Sequence, residues 1–354
     1  MLQIKLLKVL LQLLDNNMIK LLKYIFVTIL LFGLIQGRAQ QLPNSTQYLF
    51  NPYGLTPTLA GYTGYSEVFL NYRNNWTGIP GNPRTLRANG FGNIYQDKMW
   101  LGGEILTDKT DLLSVFKANL SYTYKLKVQN NQNLFFGIWA TYYQASVNLG
   151  GAVGVDPNDP IIQNANKLNN SAFNAGFGVN YNWKNLNVGF SIPSLFGLNE
   201  DYVGNTSFDY IVQRQYQFHA SYLHEFSEKW QLQSFNVFQK TGTEPVVVEF
   251  SMMAIYLKRF WLGTLYRNSG VLALNIGGHI YGGFVFNYSY EIGLNGINNG
   301  SGGAHEITIG YRFHFSGNEY FQKRENDCST KNKRRKTIRP ISYPEVQDYN
   351  LKKN

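Results

Sequence analysis

Two side chains invite a catalytic reading first. His219 and Ser221 lie two apart in a stretch that alternates apolar and polar, so in a strand both project from one face, the spacing at which a base can serve a hydroxyl nucleophile. The alternation argues against a lipid substrate. Tyr216, Phe218, Ala220 and Tyr222 form the apolar face, and His219 and Ser221 side with Gln215 and Gln217. No orienting Asn or Asp is identifiable from spacing alone, so catalysis is not expected.

Metal chemistry has less support still. The five histidines, His219, His224, His279, His305 and His314, show no ligand spacing, and Cys328 stands without a partner thiol. Asp156-Pro157-Asn158-Asp159 has the acidic content of a calcium loop but not its register, and reads better as a turn with capping carboxylates. There is no phosphate loop and no dinucleotide fingerprint, so no cofactor is expected.

The elements that hold these residues are more informative. From Glu67 to Phe315 the chain falls into about fourteen short alternating segments rich in Tyr, Phe and Gly. Aromatic residues make up 16% and charged residues 15% of the chain, well below the charged share of about 25% in soluble domains. A mean hydropathy of −0.26 excludes a bundle of apolar helices. Lipid-facing residues alternating with lumen-facing ones give such an average, so the expected fold is all-β, an outer-membrane antiparallel β-barrel. A soluble sandwich or propeller is the alternative, and no repeat of 40 to 50 residues supports a propeller.

A leader precedes the barrel. The apolar run Tyr24–Ile35 is shorter than the about 20 residues that a spanning helix needs, and Gly37-Arg38-Ala39 before Gln40 is a small-residue cleavage site. Residues 1–39 are therefore expected to be a signal peptide. Met18, followed by Lys20 and Lys23, is the expected start.

The formal net charge of +10 is unevenly placed. The leader carries five basic residues against one acidic, and the tail from Ser316 carries ten against five, which leaves +1 for the body. Nucleic-acid binding by the body is unsupported.

The last strand is the clearest. Ile307, Ile309, Tyr311, Phe313 and Phe315 alternate with Glu306, Thr308, Gly310, Arg312 and His314, which assigns the first set to lipid and the second to the lumen. Short turns are expected at residues 96–99, 129–132, 184–185, 227–229, 258–260 and 282–283, on the periplasmic side. Longer outer loops are expected at 148–171, 193–212 and 293–304. Trp76, Trp100, Trp183, Trp230 and Trp261 stand near strand ends, where aromatic girdles meet the membrane interfaces.

Between leader and barrel, residues 40–66 contain Pro43, Pro52 and Pro57, which disfavours a regular strand. Tyr48, Leu49, Phe50, Leu55 and Leu59 need apolar company, so a plug folded into the lumen is expected, with a periplasmic docking arm as the alternative. Arg73 shares a face with Glu67, Phe69 and Asn71 and should point inward, where a buried guanidinium needs carboxylate or backbone partners. Arg84 and Arg87, which begin the return strand, could pin the same segment or receive a partner, with structural bracing of the lumen the favoured role.

The stretch Gln47-Tyr48-Leu49-Phe50-Asn51-Pro52, then Pro57, Ala60-Gly61 and Tyr72-Arg73-Asn74-Asn75-Trp76-Thr77-Gly78-Ile79, resembles the PorP/SprF family of type IX secretion system membrane proteins. Asp108-Lys109, Asp156-Pro157, residues 188–193, Tyr266-Arg267 and His305-Glu306 extend the resemblance over residues 41–315. It implies a non-catalytic outer-membrane component that supports secretion or surface anchoring of one large secreted protein, such as a gliding adhesin. The implied partners are secretion machinery subunits, that cargo and outer-membrane lipid, with no small-molecule substrate. Tyr48, Phe50, Asn51, Pro52, Arg73, Trp76, Arg84, Asp108 and Lys109 are the candidate structural or partner-binding residues. A passive porin or hydrophobic-solute transporter is the alternative on the same barrel.

Family members usually stop near the final strand, whereas this chain continues from Ser316 to Asn354. Lys331, Lys333, Arg334, Arg335, Lys336 and Arg339 fall within nine residues, so a disordered, basic periplasmic tail is expected. Lys333, Arg334, Arg335 and Lys336 are its candidate electrostatic contacts with acidic partners or lipid headgroups.

Overall fold

The computed structural model describes residues 45–148, 167–196, 212–280, 283–295 and 300–313. The leader, the basic tail with Lys333, Arg334, Arg335 and Lys336, and the Asp156–Asp159 turn lie outside the described residues.

Fourteen antiparallel strands close into one barrel, each paired with the next in sequence and the last paired with the first. They are β1 (Ser66–Asn75), β2 (Arg84–Tyr95), β3 (Met99–Thr110), β4 (Leu113–Gln129), β5 (Gln132–Asn148), β6 (Lys167–Trp183) and β7 (Leu186–Ser194) in the first half. The second half is β8 (Gln215–Glu225), β9 (Trp230–Thr241), β10 (Val247–Tyr256), β11 (Phe260–Arg267), β12 (Val271–His279), β13 (Phe284–Gly293) and β14 (Ala304–Phe313). Closure runs Ser66↔Phe313 to Asn75↔Ala304, so no edge is left unpaired.

Alternation produces the two faces. Leu70, Ile105, Leu120, Phe173, Leu262 and Ile309 face outward and stay exposed, Phe173 at 76%, while Asn89, Asn180, Asn187, Ser251, Asn275 and Thr308 between such residues are buried inside. An apolar outside around a polar interior lets backbone polar groups be satisfied within hydrocarbon.

The short turns expected at 96–99, 129–132, 184–185, 227–229 and 258–260 all join consecutive strands, while residue 282 of the sixth lies outside the described residues, and several use left-handed backbone: Gln96 and Asp97, Asn131, Lys184, and Leu257 and Lys258 have φ between 45° and 62°. Two consecutive residues with positive φ match the right-handed twist of the flanking strands. At the loop end one strand reaches further than expected. β6 begins at Lys167 instead of after Ser171, because Asn169 and Asn170 pair with Ser146 and Ala145, polar residues that conceal strand in a hydrophobic pattern.

Two of the expected girdle tryptophans are corrected. Trp183 and Trp230 do face outward at strand ends, but Trp100 and Trp261 are buried in the lumen, 1% and 5% exposed. Their neighbours Leu101, Phe260 and Leu262 take the outer face, and strand parity sends each indole inward.

Candidate functional site

Residues 45–65 occupy the bore. Two short 3-10 turns, Pro52–Gly54 and Pro57–Leu59, each start at a proline, whose fixed φ suits a first helical position, and the prolines keep the segment from joining the sheet. Tyr48, Leu49, Phe50, Tyr53, Leu59 and Tyr62 are all buried. The plug-like segment expected from the sequence is thus lumen-bound, and the docking-arm alternative loses its apolar surface.

At the loop end the segment is held by charge. Arg73 on β1 makes a two-pronged pair with Glu291 on β13, Nη1 to Oε1 at 2.8 Å and Nη2 to Oε2 at 2.5 Å. Its Nη1 also donates to Glu306 Oε2 on β14 at 2.9 Å. Glu306 then reaches the plug: Ser45 Oγ donates to its Oε1 at 2.5 Å, and Thr46 donates to its Oε2 through N at 3.1 Å and Oγ1 at 2.9 Å. Asn71 Nδ2 adds a further bond to Oε1 at 2.9 Å. Gln47 Nε2 donates to the Glu306 carbonyl at 2.8 Å and to Ser289 Oγ at 2.9 Å. The neighbouring pair Arg267–Glu249, 2.5 Å apart, approaches Glu291 at 3.9 Å and joins the same network.

Packing takes over in the middle. Phe50 stacks on Trp261, centroids 5.4 Å apart at 25°, and meets Phe69 edge-on at 5.2 Å. Tyr48 lies 5.2 Å from Phe235 and shares a hydrogen bond with Ser251 Oγ at 3.2 Å. Tyr53 packs 5.0 Å from Phe91 and bonds Ser121 Oγ at 2.8 Å. Burial pushes both phenols up, so they stay neutral in the bore. Asn51 Nδ2 donates to Asn89 Oδ1 at 2.9 Å, and Thr123 Oγ1 donates to the Pro57 carbonyl at 2.8 Å.

Close approach fixes the short-turn end. A Cβ on Gly61, whose φ is +74°, would sit 2.1 Å from Trp100 Cε2, so only glycine lets the chain pass this indole. The segment therefore runs from the loop-end half, beside Glu306, to the second residue of β3 at the short-turn end.

Tyr48, Phe50, Asn51, Pro52 and Arg73 are thus brought together. The remaining candidates are not. Trp76, with φ of 50°, heads the β1–β2 loop. Asp108 accepts a bond from Thr85 Oγ1 at 2.6 Å inside the barrel. Arg84 and Lys109 pair across β2 and β3, are exposed, and share the outward parity of Leu86 and Ile105. Arg84 cannot pin the plug, whereas Arg87, three residues on, faces inward beside Glu104 at 3.6 Å.

His219 and Ser221 do face the lumen, as expected. The structure adds the orienting amide that spacing did not identify, Asn180, whose Oδ1 lies 3.1 Å from His219 Nε2. The ring's other nitrogen, Nδ1, has no hydrogen-bond partner, so Ser221 is not joined to the base. Among the described residues no group of three His, Cys, Asp or Glu side chains is arranged for a metal.

The candidate set drawn from the sequence did not include Glu249, Glu291, Glu306, Arg267 or Trp261, which the structure places in this network and its apolar neighbourhood. Parity puts Arg267 and Trp261 on one face of β11, and Glu249 stands directly opposite Arg267 in the β10–β11 hairpin, whereas Glu291 on β13 reaches Arg73 only because β14 closes against β1.

The family model described as type IX secretion system membrane protein PorP/SprF matches residues 37–311. Among solved structures, a Pseudomonas aeruginosa FadL homologue is 12% identical, with 77% of this chain and 95% of that chain covered at a TM-score of 0.43. The Acinetobacter baumannii outer membrane protein Omp33 is 8% identical, with 70% and 97% covered at 0.41. The Ralstonia pickettii toluene transporter TbuX is 11% identical, with 70% and 87% covered at 0.40. No curated protein matches the chain by sequence.

Proposed function

This chain belongs to the PorP/SprF family of type IX secretion system membrane proteins, and from that premise we propose that it is a plugged, non-catalytic adapter that supports secretion or surface anchoring of one large secreted protein. It resides in the outer membrane, as a closed barrel with an apolar outer wall and as a family member.

The observation that carries the reading is the filled bore. A diffusion channel needs a continuous aqueous path, whereas here residues 45–65 run along the lumen, with Tyr48, Phe50 and Tyr53 buried against its wall and Glu306 holding Ser45 and Thr46. A barrel closed in this way can present its two rims to other proteins. The partners in this reading are machinery subunits and a large cargo, with a gliding-adhesin-like protein as the expected type. Among the described residues of the lumen Ser221 is not joined to His219, whose ring packs against Phe235 with centroids 5.7 Å apart.

The test is quantitative mass spectrometry of the cell surface and culture medium with and without the gene, and after complementation by the intact chain. Loss of one or a few large secreted proteins, restored on complementation, is the expected result. An unchanged exoproteome with altered uptake of small solutes would sink the reading and promote a transporter.

A further inference from the structure

The lipid-facing wall of β2–β5 is not flat. Ala88, Gly90, Gly103, Ala118 and Ala140 all point outward and form the floor of a groove of about 690 Å³, within the size range of ligand sites. Register places these small residues side by side: Gly90 pairs with Gly103, Leu120 with Ala140, and Ile105 lies between Ala88 and Ala118. Phe173 and Leu120, 76% and 62% exposed, stand as its walls.

Above this groove, on the same two strands, Arg84 and Lys109 are directly opposite one another and outward-facing. Like charges across a strand pair repel. Their next partners in the row are Asn74 on β1 and Ser114 on β4, which are hydrogen-bonding but neutral. Of the nearby carboxylates, Asp108 points inward and accepts from Thr85 Oγ1. Among the described residues neither cation has an ion-pair partner within 4.0 Å. Four residues separate Arg84 from Ala88, about 14 Å of strand. That is the distance from a headgroup to the body of its acyl chains.

We propose that this wall is a binding site for a phosphorylated, multi-acyl glycolipid of the outer leaflet, with a phosphate bridging Arg84 and Lys109 and acyl chains in the groove below. The inference is independent of the adapter reading. The site lies at the loop end, which faces outside when short turns are periplasmic. Phosphate relieves the repulsion between the two cations, Asn74 and Ser114 supply neutral donors beside it, and the small floor residues let chains lie against the strands.

The experiment is native mass spectrometry of the full chain in detergent, with diphosphorylated lipid A, the same lipid stripped of phosphate, and inorganic phosphate as probes. The intact chain should retain the diphosphorylated lipid in preference to the stripped one, and inorganic phosphate should not displace it. Arg84→Ser with Lys109→Ser should weaken retention roughly thirtyfold, given the usual contribution of each basic residue near a lipid surface. Ala88→Phe, which fills the groove from the lipid side and leaves the lumen untouched, should also weaken it, while Lys184→Ser at the opposite end should not. Equal binding of both lipids, full displacement by inorganic phosphate, an equal loss in the Lys184 variant, or self-association through this wall without lipid preference would each overturn the proposal.

Discussion

Glu306 is the most exposed point of the plug's attachment to perturbation, and Glu306→Gln tests it without changing shape. In the structure its Oε1 accepts from Ser45 and Asn71, and its Oε2 accepts from Thr46 N, Thr46 Oγ1 and Arg73 Nη1. An amide keeps one acceptor oxygen and turns the other position into a donor facing donors. Whichever way it is oriented, two or three of these bonds are lost, at about 1 kcal/mol for a neutral bond and 1.5–3 for a charged one. One effect opposes the loss. Arg73 and Arg267 face Glu249, Glu291 and Glu306, two cations against three carboxylates, so removing one negative charge relieves repulsion while Arg73 keeps Glu291. The net cost should fall at the low end, about 2 kcal/mol, which for a chain of this size lowers the melting midpoint by about 3 °C. The assay is thermal unfolding in detergent followed by tryptophan fluorescence, with limited proteolysis reporting release of residues 45–65. Glu225→Gln at the short-turn rim, whose carboxylate serves Gln231 alone at 2.6 Å, is the control and should stay within about 0.5 kcal/mol. If Glu306→Gln melts like the intact protein and its N-terminal segment remains equally protected, the clamp is not what holds the plug.

Three further substitutions probe the same construction. Phe50→Ala removes a buried ring that touches both Trp261 and Phe69, and a loss of about 3 kcal/mol is expected, measured by chemical denaturation in detergent. Gly61→Ala must fit a methyl 2.1 Å from the Trp100 ring at a φ of +74°, so destabilisation of at least about 2 kcal/mol and increased current across planar bilayers are expected. A closed Gly61→Ala barrel would show that the segment can shift without opening the bore. In the opposite direction, Lys258→Gly relieves a left-handed non-glycine residue in the β10–β11 turn, φ 52°, and should raise stability by about 0.5–1 kcal/mol in the same denaturation series.

The sequence by itself determined the architecture, because period-two alternation and turn chemistry are local properties. Glu306 and Thr308 alternate with Ile307 and Ile309, and that pattern alone assigns lumen and lipid. Six short turns were legible from Gly, Asn, Asp and Lys between apolar runs, and the prolines of the 40–66 segment excluded it from the sheet. Local patterns fail where both faces carry apolar residues. In Phe260-Trp261-Leu262 parity had no polar marker, and Trp261 proved to be a lumen residue stacked on Phe50. They fail again where polar residues extend a strand beyond the membrane, as at Asn169 and Asn170. Only the tertiary structure decided which charges meet. Arg73 stands opposite Glu306 because β1 closes against β14, a register set by the barrel as a whole and by residues more than 200 positions apart. The same closure gives the plug a wall to pack on, whereas Arg84 and Lys109 meet through the local β2–β3 hairpin.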